Sequence, residues 1–595
     1  MPRLVRMICP VYCLILVGTT FAADTKQDPQ PMDARFDKLV ARFIDEMPAL
    51  SPIGATALGD HRYDEQLDEI SPEARDRERS FYKSFLNELA TFNRPQLSRD
   101  QQVDLQLLSQ HLQGQLWRLD QLQEWAWNPI EYAQMTGGAI YGLMAREFAP
   151  LEKRLLSVTA RLEQYPRLLN QIRQTLEPKR VPLIHAETAI KQNRGVLDII
   201  ENTVRPHVTK LNSADQQRLL QAIKRTEQAV DEHQQWLEQQ LKPAAEGDAK
   251  LGKKLFDEKL AFALGARLSR QEIRERAEFE LRRVRTEMYS LARKFQLERN
   301  PQAELPENPS DEQQQAVIKF ALEKAAADVP PRDGVVPAAQ KSLQIATDFV
   351  RDHDLMTMTT DPLEIIVMPE FQRGVAIAYC DSPGPLEVGQ KTFYAVAPLP
   401  TDWSDTQCAS FLREYNIRSI HNLTVHEAMP GHFLQIAYAN RSPRRLRAVL
   451  SSGTFVEGWA CYTEQMMSEA GFLDRDPLMR LVTLKWYLRV IANSILDQSV
   501  HVDGIRREEA MRLMMHDTFQ EEREAAGKWV RAQVTSTQLS TYFVGVQEHQ
   551  DLRTAAQQAW GHGFTLKRYH DGVVSFGSPP ARFVKALLLK EPVPE

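Results

Sequence analysis

Two histidines and a glutamate within seven residues form the strongest chemical signal in this sequence. They are His426, Glu427 and His432, in the run HEAMPGH, and Glu457 follows in the later run EGWA. Two imidazoles and a distant carboxylate are the ligand set of a catalytic zinc that keeps one position open for water. A glutamate directly after the first histidine is where zinc peptidases place their general base. We therefore predict His426, His432 and Glu457 as Zn²⁺ ligands and Glu427 as the base.

The spacing of the two histidines differs from that of the usual zinc-binding helix. That helix carries its histidines at i and i+4, whereas i and i+6 on a continuous helix would point about 120° apart. Pro430 has no N–H, and its ring clashes with the carbonyl of residue 426. Gly431 tolerates almost any backbone conformation. We therefore predict a break between Met429 and His432 that returns His432 to the side of His426. The alternative is a helix end with one capping and one exposed histidine, and no ion.

The segment around Glu457 supplies further candidate groups. Glu457, Cys461 and Glu464 fall at i, i+4 and i+7, so a helix would present all three on one face. Glu464 is predicted to orient a metal-binding histidine by accepting its second ring N–H. Cys461 is a soft donor at a suitable position, and remains an alternative ligand on spacing alone.

Four segments together resemble one large bacterial family, known as domain of unknown function 885. They are HEAMPGHFLQ, FVEGWACYTEQ, STYFVGVQEHQDLR and RYHDGVVSFGSPP. The resemblance covers nearly the whole chain after the leader. It implies a zinc-peptidase relative of the helical carboxypeptidase and angiotensin-converting-enzyme type, and it does not favour Cys461 as a ligand. It also implies that Tyr542 and His501 donate hydrogen bonds to an oxyanion, the alternative for each being a buried helix contact. Arg553 is a further candidate, for binding a peptide carboxylate.

The fold class expected is mainly α: a large, two-lobed, zincin-like helical body with a small, mostly antiparallel sheet next to the metal helix. Apolar residues recur at helical spacing from residue 32 to about residue 295. Strand patterns follow at 363–369, 374–379 and 392–398. Such a sheet either offers an edge to an extended peptide or only braces the helices. We divide the chain into a helical N-terminal region over 23–300 and a catalytic region over 301–595, with one continuous family domain over 30–590 as the preferred description.

Residues 1–22 have the features of a secretory signal peptide. Arg3 and Arg6 precede a short apolar core, and small residues follow near Ala22. That core is too short to span a bilayer, although a membrane anchor remains the alternative. Neither Cys9 nor Cys13 has the small-residue context of a lipid-modified cysteine. We therefore predict export to the periplasm or the extracellular space, without stable membrane insertion.

Composition narrows the class of partner. The formal charge of −6 becomes more negative once the two leader arginines are removed, which argues against nucleic acid as a partner. Three cysteines remain, Cys380, Cys408 and Cys461, and their odd number excludes a disulfide framework that uses all of them.

These observations predict an exported zinc metallopeptidase that hydrolyses peptide bonds in short or unfolded peptides. The alternatives are a zinc hydrolase of a non-peptide amide or ester, and an inactive peptide-binding protein of the same fold. Neither a serine nucleophile elbow nor a nucleotide-binding glycine fingerprint is present in the sequence.

Overall fold

The computed structural model describes residues 31–266, 268–368 and 377–594. The predicted signal peptide and residues 374–376 of the second predicted strand lie outside these ranges. The described chain is mainly helical, with one three-stranded sheet, so the predicted fold class is confirmed at this level. None of the described helices combines the length and the apolar character that a bilayer-spanning segment requires.

Helices fill the chain up to the sheet, linked by short 3₁₀ and π turns. They are α1 (Pro31–Glu46), α2 (Pro52–Leu58), α3 (Pro72–Leu89), α4 (Arg99–Trp117), α5 (Glu124–Trp127), α6 (Pro129–Met144), α7 (Leu151–Thr175), α8 (Leu183–Gln192), α9 (Gly195–Ile199), α10 (Ser213–Trp236), α11 (Gly252–Leu264), α12 (Arg270–Arg299), α13 (Asp311–Ala325) and α14 (Val335–Asp352). Serine side chains cap several of them. Ser269 and Ser310, for example, form reciprocal capping boxes at the starts of α12 and α13.

Helices resume after the sheet and continue to the C-terminus. They are α15 (Asp405–Glu414), α16 (Ile417–Glu427), α17 (His432–Arg441), α18 (Arg445–Val449), α19 (Gly453–Ala470), α20 (Pro477–Gln498), α21 (Arg507–Arg512), α22 (Glu522–Val534), α23 (Gln538–Trp560), α24 (Leu566–Ser575) and α25 (Ala581–Leu588).

The sheet contains β1 (Leu363–Val367), β2 (Ala378–Asp381) and β3 (Thr392–Val396), in the order β1-β3-β2. Strand β3 pairs antiparallel with β2 but parallel with β1. The prediction of a mostly antiparallel sheet was therefore wrong, and the sheet is mixed. Successive strands do reverse direction along the chain, but β3 inserts between β1 and β2 and so runs parallel to the first. The hydrophobic pattern of a strand carries no information about this spatial order.

The largest buried cluster runs from Phe256 in α11 to Val584 in α25 and takes in residues on both sides of residue 300. A second cluster lies among α6, α7 and α10. A third joins α1, α3 and α4 to Leu446 and Leu450, just before α19. Beside this third cluster, the buried guanidinium of Arg447 binds the buried carboxylate of Asp104 at 2.5 Å. The first helices of the chain therefore pack directly on the segment that leads into α19.

Helices α19 and α23 approach each other at a pair of glycines. A Cβ on Gly458 would lie 2.5 Å from Cα of Gly545, and a Cβ on Gly545 would lie 2.1 Å from the carbonyl oxygen of Thr454. Neither position accommodates a larger residue without moving a backbone. The start of α23 is fixed by Asp497, a buried carboxylate that accepts hydrogen bonds from the backbone N–H groups of Thr537 and Ser540.

Candidate metal centre

The two histidines of the first motif are brought together by a break in the helix. Helix α16 ends at Glu427, and α17 begins at His432. Between them the Met429–Pro430 peptide bond is cis, and the Gly431 N–H donates to the carbonyl of Val425. A Cβ on Gly431 would lie 1.9 Å from the carbonyl oxygen of His426, so only glycine fits there. The break expected between Met429 and His432 is therefore present.

Three side chains converge on one point at this break. Nε2 of His426 lies 3.7 Å and Nε2 of His432 lies 3.4 Å from Oε2 of Glu457, and the two rings are 4.7 Å apart between centroids. The three donor atoms all lie within 4.8 Å of one another. Burial raises the pKa of Glu457, but hydrogen bonds from the two imidazoles outweigh burial and hold that pKa well below its ordinary value.

This arrangement fits a tetrahedral zinc ion. Zinc bonds of about 2.0–2.1 Å in tetrahedral geometry would place any two ligand atoms about 3.4 Å apart. The separations between the histidine nitrogens and the Glu457 oxygen lie at or slightly above that value. Two neutral nitrogen donors and one carboxylate also match the chemistry of a catalytic zinc site, which leaves a fourth position open. The residues present therefore fit the ion that the sequence predicted.

A chain of hydrogen bonds orients His426. Its Nδ1 lies 2.7 Å from Oε1 of Glu464, which directs Nε2 toward Glu457. The second Glu464 oxygen accepts from the Asn422 amide at 2.5 Å, and Asn422 in turn accepts from the Thr483 hydroxyl at 3.1 Å. Glu464 therefore lies at the ring nitrogen of His426 that points away from Glu457. Nδ1 of His432, by contrast, is buried and has no partner among the described residues.

Cys461 lies beside His426 and Glu464. With His426 and Glu464 it forms a second grouping of possible metal donors. In that grouping, however, Nδ1 of His426 and a Glu464 oxygen already bind each other. We therefore do not include Cys461 among the candidate ligands.

The substitution Glu464→Gln is expected to weaken zinc binding by about 10–100-fold, because outer partners of ligating histidines contribute to affinity on that scale. Glutamine has one oxygen, and so cannot accept from His426 and Asn422 at opposite ends of the group. Competition with a chromophoric zinc chelator measures the affinity. Glu469→Gln on the same helix is the control, since Glu469 pairs with Arg553 at the surface. Equal zinc affinity of Glu464→Gln and the parent protein would contradict the orienting role.

Glu427 lies between the metal centre and the sheet. Burial raises the pKa of Glu427, and the imidazoles of His426 and His432 offset part of this increase. The backbone N–H of Cys380 in edge strand β2 is near enough to the carboxylate to lower the pKa of Glu427 slightly. The predicted base is therefore held beside both the cluster and the edge of the sheet.

Tyr542 lies close to the metal centre. Its position in α23 is one helical turn before Gly545, where α23 meets the Glu457–Gly458 segment of α19. The Tyr542 hydroxyl accepts hydrogen bonds from Arg531 and Gln538, both at 3.2 Å, which leaves its own proton available for a third partner. Burial and the nearby Glu457 carboxylate raise the pKa of Tyr542 to about 12, so the hydroxyl stays protonated.

His501 and Arg553 are placed elsewhere. Nε2 of His501 donates to the backbone carbonyls of Ala532 and Thr535, and no hydrogen bond of His501 among the described residues reaches the cluster. Arg553 binds Glu469 at 2.9 Å. The structure therefore brings Tyr542 to the centre but not His501, because the π turn after α20 points that ring toward α11 and α22.

A cavity of about 620 Å³ lies among α4, α11, the start of α19 and residues 533–538, and none of His426, Glu427, His432 and Glu457 lines it. Its wall includes Gly453, one turn before Glu457, and Gln538, whose amide donates to Tyr542. Trp117, Trp127 and Phe262 supply aromatic surface. The volume lies in the range of small-ligand sites, so the cavity can hold a segment of extended peptide but not a folded domain.

Several contacts of the site were not predicted. The Trp459 indole N–H donates to the carbonyl of Pro430 at 2.9 Å and so joins the EGWA segment to the break. The Gly458–Gly545 approach, the Asn422 link and the Cys380 N–H were also missed. The two motif glycines were the available signal, since a glycine within an apolar helix often marks a close backbone approach.

Fold and site together define a mainly helical protein with a candidate metal centre of two histidines and a glutamate. The chain belongs to the family described as "Bacterial protein of unknown function (DUF885)", whose model matches residues 52–588. The predicted family is therefore confirmed.

Two solved structures are similar to this chain. One is a "putative lipoprotein of unknown function" from Shewanella oneidensis, 32% identical, with a TM-score of 0.77 over 93% of this chain and 99% of that chain. The other is a "putative lipoprotein" from Colwellia psychrerythraea, 18% identical, with a TM-score of 0.74 over 94% of this chain and 98% of that chain, which shows the fold alone. No curated protein matches the chain.

Proposed function

We propose that this protein is an exported, zinc-dependent metallopeptidase that hydrolyses short or unfolded peptides. The observation that carries the proposal is the convergence of His426, His432 and Glu457 at separations suited to one ion, with Glu427 beside them. When bound, zinc would polarise a carbonyl group and lower the pKa of a coordinated water to about 7. His426, His432 and Glu457 would hold it.

Glu427 acts as the general base and then as the general acid. It follows the proposed zinc ligand His426 directly in sequence, and the Cys380 N–H lies near its carboxylate. The carboxylate takes a proton from the attacking water and passes it to the leaving amine. Tyr542 directs its hydroxyl proton toward the oxygen that becomes negative, a contribution of about 3–4 kcal/mol for one such donor.

The edge strand β2 supports a peptide as the substrate. It is the outer strand next to Glu427, and an extended peptide can add to such an edge through backbone hydrogen bonds alone. Asp381, at the end of β2, is held by Arg146 at 2.7 Å and by Tyr141 at 2.8 Å. This anchoring keeps the edge in a fixed position relative to Glu427.

Export is supported by the leader and by the similar structure from Shewanella oneidensis, whose name describes it as a lipoprotein. We do not extend the lipid anchor to this chain, because Cys9 and Cys13 lack the expected small-residue context. The protein then acts on peptides in the periplasm or the extracellular space.

A peptide-library digest read by mass spectrometry tests the function. We expect cleavage that a chelator abolishes and that zinc restores, with manganese and cobalt tested in parallel to identify the working ion. His432→Ala, prepared in the same way, controls for contaminating peptidases, because it lacks one ligand. Absence of chelator-sensitive cleavage would contradict the proposal, and a panel of non-peptide amides and esters would then test hydrolysis of other substrates.

A further inference from the structure

A second group of charged residues lies beside Tyr542, on helix α22. Lys528 and Arg531 are spaced i and i+3, so they share one face of that helix. Neither takes part in the proposed bond cleavage. Both side chains are basic, and the nearest acid on their helix, Glu524, also binds Arg489 and the Tyr415 hydroxyl.

Lys528 is buried without a partner. Only 6% of the residue is exposed, and its ammonium group forms no hydrogen bond or ion pair with any described residue. Burial, reinforced by the positive charges of Arg489 and Arg531, outweighs the attraction of Glu524 and holds the pKa of Lys528 well below its ordinary value. An incoming anion would favour the charged form of this buried amine, because a nearby opposite charge stabilises that form.

Arg531 uses only part of its hydrogen-bonding capacity. Its Nη2 donates to Oε1 of Gln538 at 2.9 Å and to the Tyr542 hydroxyl at 3.2 Å. Nη1 and Nε bind no other described residue, so one edge of the guanidinium remains open. An open guanidinium edge matches the two oxygens of a carboxylate, which it can bind bidentately.

The contacts of Arg531 relate this pair of basic residues to the candidate metal centre. The Tyr542 hydroxyl binds Arg531, and the Glu457 carboxylate is near enough to raise the pKa of Tyr542. Gln538, the second partner of Arg531, lines the 620 Å³ cavity. Because Arg531 binds the hydroxyl that we place at the reacting carbonyl, a carboxylate close to the scissile bond would lie within reach of the open guanidinium edge.

Building on the proposed peptidase function, we propose that Lys528 and Arg531 bind the C-terminal carboxylate of the peptide substrate. The protein would then remove residues from the C-terminal end of peptides and not cleave at random within them. Arg553, the sequence-based candidate for this role, is paired with Glu469 instead.

The test compares two N-acetylated tetrapeptides of the sequence Ala-Ala-Phe-Ala, one ending in a free carboxylate and one in an amide. Their affinities are measured in the zinc-loaded Glu427→Gln background, which prevents turnover. We expect the free acid to bind about 10–100-fold more tightly than the amide, as for hydrogen bonds to a charged group. Adding Arg531→Gln should reduce binding of the acid to the level of the amide and leave the amide unchanged.

Two further variants test the role of Lys528 and provide a control. Lys528→Met, which keeps the length of the side chain, should reduce acid binding in the same way. Arg523→Gln removes an exposed cation from the same helix and should change neither peptide. Equal affinity for acid and amide, or an undiminished preference in Arg531→Gln, would overturn the assignment. So would equally tight binding of an amide-capped peptide that carries an internal glutamate.

Turnover gives an independent measurement. With the parent protein, mass spectrometry should show ladders shortened from the C-terminal end of free-acid peptides, and internal cleavage at equal rates for acid and amide would contradict the inference. If no chelator-sensitive cleavage occurs at all, the proposed peptidase function fails. The binding comparison still decides whether the carboxylate site exists.

Discussion

The substitution Glu427→Gln is expected to lower kcat for peptide hydrolysis by about 10²–10⁴-fold, the usual contribution of a positioned general base. Glutamine keeps the shape of the side chain, but it cannot take a proton from water. Zinc content and thermal unfolding should stay near the parent values, because Glu427 is not among the three predicted ligands.

The measurement pairs steady-state kinetics on a peptide found in the digest with zinc content by mass spectrometry. Glu469→Gln serves as the matched control and should keep full activity. A Glu427→Gln protein that turned over at the parent rate would remove Glu427 from the mechanism. A variant that had lost its zinc would show that the residue supports the ion and not proton transfer.

The substitution Gly545→Ala should have the largest effect on stability. Its Cβ would lie 2.1 Å from the carbonyl oxygen of Thr454, so α19 and α23 would have to separate. Overpacking of this kind typically costs about 1–3 kcal/mol, and here two backbones collide, so we expect the upper part of that range. Because α19 carries Glu457 and α23 carries Tyr542, zinc affinity should fall together with stability.

Gly527→Ala is the matched control for this prediction. Gly527 lies within α22, and a Cβ there would meet nothing within 4 Å. The same chemical change should therefore be neutral, or stabilising by about 0.5–1 kcal/mol, because alanine is the better helix former. Chemical denaturation followed by circular dichroism compares the two variants. Equal stability of both would mean that the helices separate at little cost.

Local spacing was sufficient to predict the break in the metal helix. Pro430 forbids a regular helix and Gly431 permits an unusual backbone, so the positions of His426 and His432 followed from steric rules over a few residues. The helical character of most of the chain followed in the same way from its apolar periodicity. The helix break and the helical periodicity each depend on residues close together in the chain, so each can be predicted from a single sequence.

The parts that were missed depend on long-range packing. Gly458 belongs to a recognisable motif, but the sequence does not show why a glycine is needed there. The structure shows that the backbone of Gly545, on another helix, leaves no room for a side chain at Gly458. The parallel pairing of β1 with β3 depends on which strand occupies the middle of the sheet. His501 and Tyr542 were equal candidates in the sequence, and only the turn that carries each side chain separates them.

The packing of α19 against α23 also has a consequence for the order in which the protein matures. All three candidate ligands have been synthesised by residue 457, yet the helix that supports α19 begins at residue 538. Metal binding and folding are coupled, so an incomplete site holds its ion weakly. A chain emerging from the ribosome or from a secretion channel would thus finish its C-terminal third before it could retain zinc. We expect loading of the ion to be one of the last steps of biogenesis, and to take place in the compartment where the chain completes its folding.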